Sequence, residues 1–153
     1  MTYSIHREQW VPRPLDDVFR FFCDARNLEV LTPDWLKFRV VTLPAEIATG
    51  VHIHYRLIWH GIPFRWITEI MRWNPPHDFE DVQLSGPYKL WRHGHSFEAL
   101  DGGTRITDHV EYALPFGPLG RIAHALQVRR NVETIFDFRQ DRIRQLFGDP
   151  MQT

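Results

Sequence analysis

The sequence predicts an α+β domain in which a strongly curved antiparallel sheet of about seven strands wraps around a long C-terminal helix, with two short helices after the first strand. Three observations carry this reading. From Pro118 to Phe147 the apolar residues Ile122, Ala125, Leu126, Val132, Ile135, Phe136, Ile143, Leu146 and Phe147 recur at three- and four-residue spacing, the period of one helix face. From Lys37 to Leu114 the pattern is instead one of alternation. The separators between the alternating runs have the composition and length of tight turns, so neighbouring strands run antiparallel.

Taken in order, Tyr3 to Val11 alternates and ends at Pro12-Arg13-Pro14, a first strand. Pro14 opens a helix whose first turn holds Asp16 and Asp17, where the macrodipole favours acids, and whose inner face is Leu15, Val18, Phe19 and Phe22. Arg26 to Leu31 forms a second short helix stopped by Thr32-Pro33, because the residue before a proline is pushed out of the α region. Six strands follow: Lys37 to Leu43, Val51 to Trp59, Pro63 to Trp73, Phe79 to Leu84, Lys89 to Leu100 and Thr104 to Leu114. Gly50, His60-Gly61, Asn74-Pro75-Pro76, Ser85-Gly86-Pro87 and Asp101-Gly102-Gly103 separate them. Pro118 then suits the first turn of the last helix, and Gly148 with Pro150 its stop. Such a helix is about 45 Å long, and it needs an extended apolar surface to cover its stripe. Its polar face includes Arg129, Glu133, Asp137 and Arg139, read as solvated.

At 153 residues the chain is one domain with one sizeable core. A formal charge of −1 offers no footprint for nucleic acid, and no apolar run approaches the length of a membrane span, so neither nucleic-acid binding nor membrane insertion is expected. The single Cys23 excludes an internal disulfide and, with no CxxC partner, reads as an ordinary thiol. A cytoplasmic monomer or homodimer is the expectation.

The layout and particular residues resemble the START-like or Bet v 1-like helix-grip superfamily, the SRPBCC ligand-binding group that includes polyketide cyclase and dehydratase proteins. The resemblance is carried by Pro14-Leu15-Asp16-Asp17-Val18-Phe19 running on to Asn27-Leu28 and Thr32-Pro33-Asp34-Trp35-Leu36. It continues through Gly86-Pro87-Tyr88, through Trp91, His93, His95 and Phe97, and through Gly103-Thr104-Arg105 to Pro115-Phe116-Gly117. It implies a cavity between sheet and long helix, and no particular ligand, because fold does not fix function.

One constellation follows from hairpin geometry. Asp101-Gly102 is the signature of a two-residue type I′ turn, which pairs Leu100 with Gly103 and so sets Phe97 opposite Ile106, His95 opposite Asp108, His93 opposite Val110 and Trp91 opposite Tyr112. This largely apolar face points at the long helix, with a histidine and a carboxylate about 5 Å apart at Cβ. A three-residue loop at Gly86-Pro87-Tyr88 likewise puts Gln83 opposite Trp91 and Asp81 opposite His93. His95 and Asp108 are thus candidate catalytic residues, a general base or acid held in one tautomer. The same pairs also satisfy the hydrogen bonds that buried polar groups require, or anchor a ligand.

The expected ligand is a hydrophobic or aromatic small molecule. Asp81, Gln83 and His93 are its polar anchors and Trp91, Phe97, Val110, Tyr112, Leu126 and Phe136 its wall. Tyr55, Trp59 and Trp66 belong either to an open pocket or to a filled core. No cofactor is expected, and no metal, since His52 and His54 lie on the strand face opposite Ile53, Tyr55 and Leu57 and lack a third ligand. Two further functions stand beside binding: a cofactor-free cyclase or dehydratase, and an accessory module that associates with a separate enzyme. Gly117-Pro118-Leu119-Gly120 reads as the helix start beside the cavity mouth.

Overall fold

In the computed structural model, which describes residues 1–148, the chain begins with β1 (Tyr3–Val11), α1 (Leu15–Cys23), α2 (Asn27–Val30) and a 3-10 turn (Asp34–Leu36). Six strands follow: β2 (Arg39–Thr42), β3 (His52–Trp59), β4 (Ile62–Asn74), β5 (Asp78–Ser85), β6 (Leu90–Leu100) and β7 (Gly103–Ala113). The chain then runs through α3 (Gly117–Ala123) and a π turn (His124–Val128) into α4 (Arg129–Phe147). The strands form one antiparallel sheet in the order β1-β7-β6-β5-β4-β3-β2. The first strand therefore closes against the last and the long helix lies across the sheet, the predicted architecture.

Turn chemistry sets the register. Asp101 and Gly102 have φ of 52° and 78°, and His60 and Gly61 have 48° and 77°, the left-handed pair of a type I′ turn. Leu100 pairs with Gly103 and the ladder runs without a break to Leu90 opposite Ala113. β2 starts two residues later than the alternation suggested, because Lys37, at φ 47°, caps the preceding 3-10 turn and donates its N–H to Asp34 O.

β4 carries what the alternation could not show. Its pairing with β5 slips between Ile67 and Thr68 and again between Ile70 and Arg72. At the second slip Met71, 49% exposed, has no partner of its own. A bulge adds one residue to one strand, bends it and reverses the side-chain parity beyond it. Trp66 and Ile70 face inward before the bulge, and Trp73, not Arg72, faces inward after it, opposite Phe79.

The long helix is interrupted where the sequence suggested one uniform stripe. Its buried positions are Gly120, His124, Val128, Val132, Phe136, Arg139 and Ile143, several of them four residues apart. Steps of four overshoot a 3.6-residue turn, and the i→i+5 bonding of the π turn inserts the residue that keeps them facing the sheet. As a result Ile122 and Leu126 face outward, 55% and 77% exposed. Leu146, in the last turn, is 40% exposed. Arg139, expected on the solvated face, is only 7% exposed. Gly120 lies so close to the end of β7 that a Cβ there would collide with the Pro115 carbonyl oxygen. The helix ends at Gly148, whose φ of 104° and bond to Arg144 O finish the last turn; Pro150, the other expected stop signal, lies outside the described residues.

Three apolar clusters surround the interior. One joins Val18 and Phe19 of α1 to Phe79, Phe97, Ile106 and Ile143. A second joins Val110 and Tyr112 to Val128, Val132 and Phe136 of the helix. The third holds Ala25, Ile53, Tyr55 and Ile70. Between them the packing is open.

Candidate functional site

The open space is a cavity of about 430 Å³ between the sheet and the helix. β3 and β4 contribute Tyr55, Leu57, Trp59, Trp66, Ile70 and Trp73 to its wall, β5 and β6 contribute Phe79, Asp81, Trp91, His93 and His95, and the helix contributes Val128, Asn131, Ile135 and Arg139. Phe22, Cys23 and Leu28 close it from α1 and α2, and Phe116, 80% exposed while lining the cavity, marks its opening beside Pro87 and Pro115. Burial pushes the Cys23 thiol upward, although Arg20 opposes this; that favours the unreactive thiol form.

The wall is mostly apolar, and its polar groups are gathered in one place. The backbone register is the predicted one, with His95 opposite Asp108 and His93 opposite Asp81. The side-chain bonds, however, cross over. His93 Nε2 lies 2.7 Å from Asp108 Oδ1, and His95 Nε2 lies 2.8 Å from Asp81 Oδ2. Diagonal neighbours on a twisted sheet lie within reach of long side chains, and each ring leans to the carboxylate two residues from its direct partner. His95 Nδ1 stands 3.4 Å from Asp108 Oδ1, and the two imidazoles stack at 3.7 Å. Arg139 reaches in from the helix, its Nη2 3.6 Å from Asp108 Oδ1 and its guanidinium over the Phe22 ring at 5.3 Å.

These contacts separate the protonation behaviour of the two histidines. Burial and the neighbouring His95 push His93 down to about 4, against the pull of Asp108, so it is neutral at physiological pH. For His95, burial is outweighed by the flanking carboxylates of Asp108, 3.4 Å from Nδ1, and Asp81, bonded to Nε2, and its pKa is raised. Burial would by itself raise Asp108, but the Arg139 charge, the bond to His93 and the neighbouring His95 hold it well below the usual carboxylate range. Asp81 is held low mainly by its bond from His95, again against burial. The cluster therefore has two carboxylates, one guanidinium, one imidazole biased towards its cation and one kept neutral. Asp81, His93 and His95 each offer a ligand atom within 4.8 Å of the others, the one such metal-capable set among the described residues. Both Nε2 atoms are already engaged by carboxylates.

The expected site residues take four different positions. Asp81, Trp91, His93 and His95 line the cavity. Asp108 lies behind the two histidines, and Phe97, Val110, Tyr112 and Phe136 lie in the core clusters behind the wall. Gln83 is spent on the loop, donating to Tyr88 O at 2.7 Å and accepting from Tyr88 N at 3.2 Å, which holds Tyr88 in place. Leu126 is on the outside of the helix and is not a wall residue. Arg139 and Asn131 were not expected at the site. The signal for Arg139 was present, since it stands three residues after Phe136 and four before Ile143, on the apolar stripe, but its charge assigned it to the solvated face.

A curved antiparallel sheet that grips a long helix around an apolar cavity with a localised polar cluster defines a ligand-binding helix-grip domain. The chain belongs to the family described as polyketide cyclase / dehydrase and lipid transport, whose model matches residues 11–138. No curated protein matches it by sequence. Solved structures share the fold at low identity. Protein CV1439 from Chromobacterium violaceum superposes with a TM-score of 0.74 at 13% identity, over 95% of this chain and 97% of that one. The ginseng major latex-like protein 151 from Panax ginseng gives 0.69 at 9% identity, over 95% and 97%. Protein Ms6760 from Mycobacterium smegmatis gives 0.68 at 19% identity, over 94% and 89%. Among the described residues no helix is long and apolar enough to cross a membrane.

Proposed function

We propose that this protein binds a hydrophobic or aromatic small molecule in the cavity between its sheet and C-terminal helix. The observation that carries the reading is the cavity itself, about 430 Å³ walled by Tyr55, Trp59, Trp66, Trp73, Phe79 and Trp91. Aromatic rings around a few convergent polar groups are the usual make-up of a small-molecule site. The family description, which includes lipid transport, supports the same reading. Mass spectrometry of the organic extract of freshly purified protein, with native mass spectrometry of the intact chain, tests it. A stoichiometric hydrophobic adduct is the expected result. A clean apo protein whose tryptophan fluorescence also fails to respond to aromatic probes would refute it.

The polar cluster favours a second reading, acid/base turnover of the cyclase or dehydratase kind. In this geometry Asp81, which lines the cavity and is bonded by His95 Nε2, is the group placed to exchange a proton with a bound molecule. His95, which also lines the cavity, and Asp108 behind the histidines are the residues that set its charge. A turnover rate that falls with Asp81→Asn while ligand affinity persists would support this reading; unchanged turnover would remove it.

A further inference from the structure

Among the described residues, the buried side-chain polar atoms without a hydrogen-bond partner in the protein are His95 Nδ1, Asn131 Nδ2 and the Nε and Nη2 atoms of Arg139. All three residues line the same cavity. Arg139 is 7% exposed and His95 4% exposed. The Arg139 ion pair does not satisfy the guanidinium, because 3.6 Å to Asp108 Oδ1 exceeds hydrogen-bond reach. Leaving a buried donor unmade is unfavourable, and native proteins rarely do so. Asn131 and Arg139 stand eight residues apart on α4 with Ile135 midway, and all three line the cavity that the aromatic side chains of the sheet wall on its other side.

We propose that the cavity selects a ring compound bearing a neutral carbonyl-type oxygen, which Arg139 and Asn131 receive as hydrogen-bond donors from the α4 wall. This rests on the reading of the cavity as a ligand site. An arginine offers only donors, so its partner must be an acceptor. Charge balance selects a neutral one. Asp81 and Asp108 match Arg139 and His95 in number even when the imidazole is protonated, and outnumber the cations when it is not, so a ligand carboxylate would add an uncompensated negative charge in a mostly apolar cavity. A carbonyl oxygen supplies the acceptor and leaves the balance intact. A hydrocarbon of the same shape would fill the apolar wall and leave the donors without partners.

The test uses three naphthalene probes, titrated against the intact protein by tryptophan fluorescence and calorimetry. 2-Acetylnaphthalene carries the carbonyl, 2-isopropenylnaphthalene replaces its oxygen with a methylene group in the same planar shape, and 2-naphthoate carries a carboxylate. The ketone is expected to bind at least about tenfold more tightly than the alkene, about 1.4 kcal/mol, and more tightly than the naphthoate. Arg139→Met should abolish that preference. Because that variant also disturbs a buried ion pair, Asn131→Leu provides the independent check. It should reduce the ketone's advantage over the alkene several-fold. Equal affinity for ketone and alkene in the wild type would overturn the proposal and leave the cavity reading standing. Tighter binding of naphthoate would overturn the neutral-acceptor assignment. Failure of all three probes to bind would overturn the cavity reading and this inference with it.

Discussion

Replacing Arg139 by Met removes the guanidinium 3.6 Å from Asp108 Oδ1, in a pair whose side chains are 8% and 7% exposed. Removing one partner of a buried pair strands the other charge and typically costs about 3 to 5 kcal/mol. The lower end applies here, about 3 kcal/mol, because Asp108 keeps its 2.7 Å bond to His93. For a domain of this size that lowers Tm by about 6 to 12 °C. Urea denaturation at pH 7 should show a reduced midpoint at an unchanged m-value, and adding Asp108→Asn to the variant should restore part of the loss, because the stranded charge is then gone. The pH dependence gives a second handle. Asp108 is depressed in the folded state, so its stabilising contribution is complete above the unfolded carboxylate range and is lost as pH falls through the folded value. Without Arg139 the folded value rises, and the variant's deficit relative to wild type narrows as pH is lowered. A variant within about 1 kcal/mol of wild type at pH 7 would refute the assignment of Arg139 as the countercharge of this cluster.

The two histidines should give stability a maximum near about pH 6.5, the unfolded value. His93, pushed down to about 4, makes the folded state bind fewer protons than the unfolded chain and removes about 3 kcal/mol as pH falls from 6.5 to 4, whereas His95, raised, stabilises below the unfolded value and loses that contribution as pH rises through its folded one; His93→Gln should flatten the acid limb in urea titrations and leave the alkaline limb. Tyr112→Phe removes a hydroxyl 2.7 Å from His124 Nε2, with Tyr112 1% and His124 7% exposed, and should cost about 1 to 2 kcal/mol in the same assay. Leu126→Ser should leave stability within about 0.5 kcal/mol and the affinity for 2-acetylnaphthalene unchanged, since Leu126 is 77% exposed; a clear loss of affinity would return it to the cavity wall.

The sequence by itself determined the strand order along the chain, the antiparallel pairing and the register of the site hairpin, because these are local. A type I′ turn at Asp101-Gly102 sets which residues of β6 and β7 face each other, and period-two alternation places Trp91, His93, His95 and Phe97 on one face. It also placed His52 and Arg56 outside and Ile53, Tyr55 and Leu57 inside. Tertiary structure decided what those faces do. The bulge at Met71 turns Trp73 inward, and alternation alone points to the neighbouring residue. The π turn rotates the start of the helix so that Leu126 leaves the interior and His124 enters it, which no 3.6-residue template anticipates. The crossed bonds, His93 to Asp108 and His95 to Asp81, depend on how the rings lean on a twisted sheet. Arg139 is the clearest case. Its spacing placed it on the buried stripe and its charge argued for solvent, and only the approach of Asp108 and the Phe22 ring from elsewhere in the chain makes burial of a guanidinium tolerable there. Local patterns determine which way a side chain points; whether a charge can stay there depends on partners that only the folded chain brings within a few ångströms.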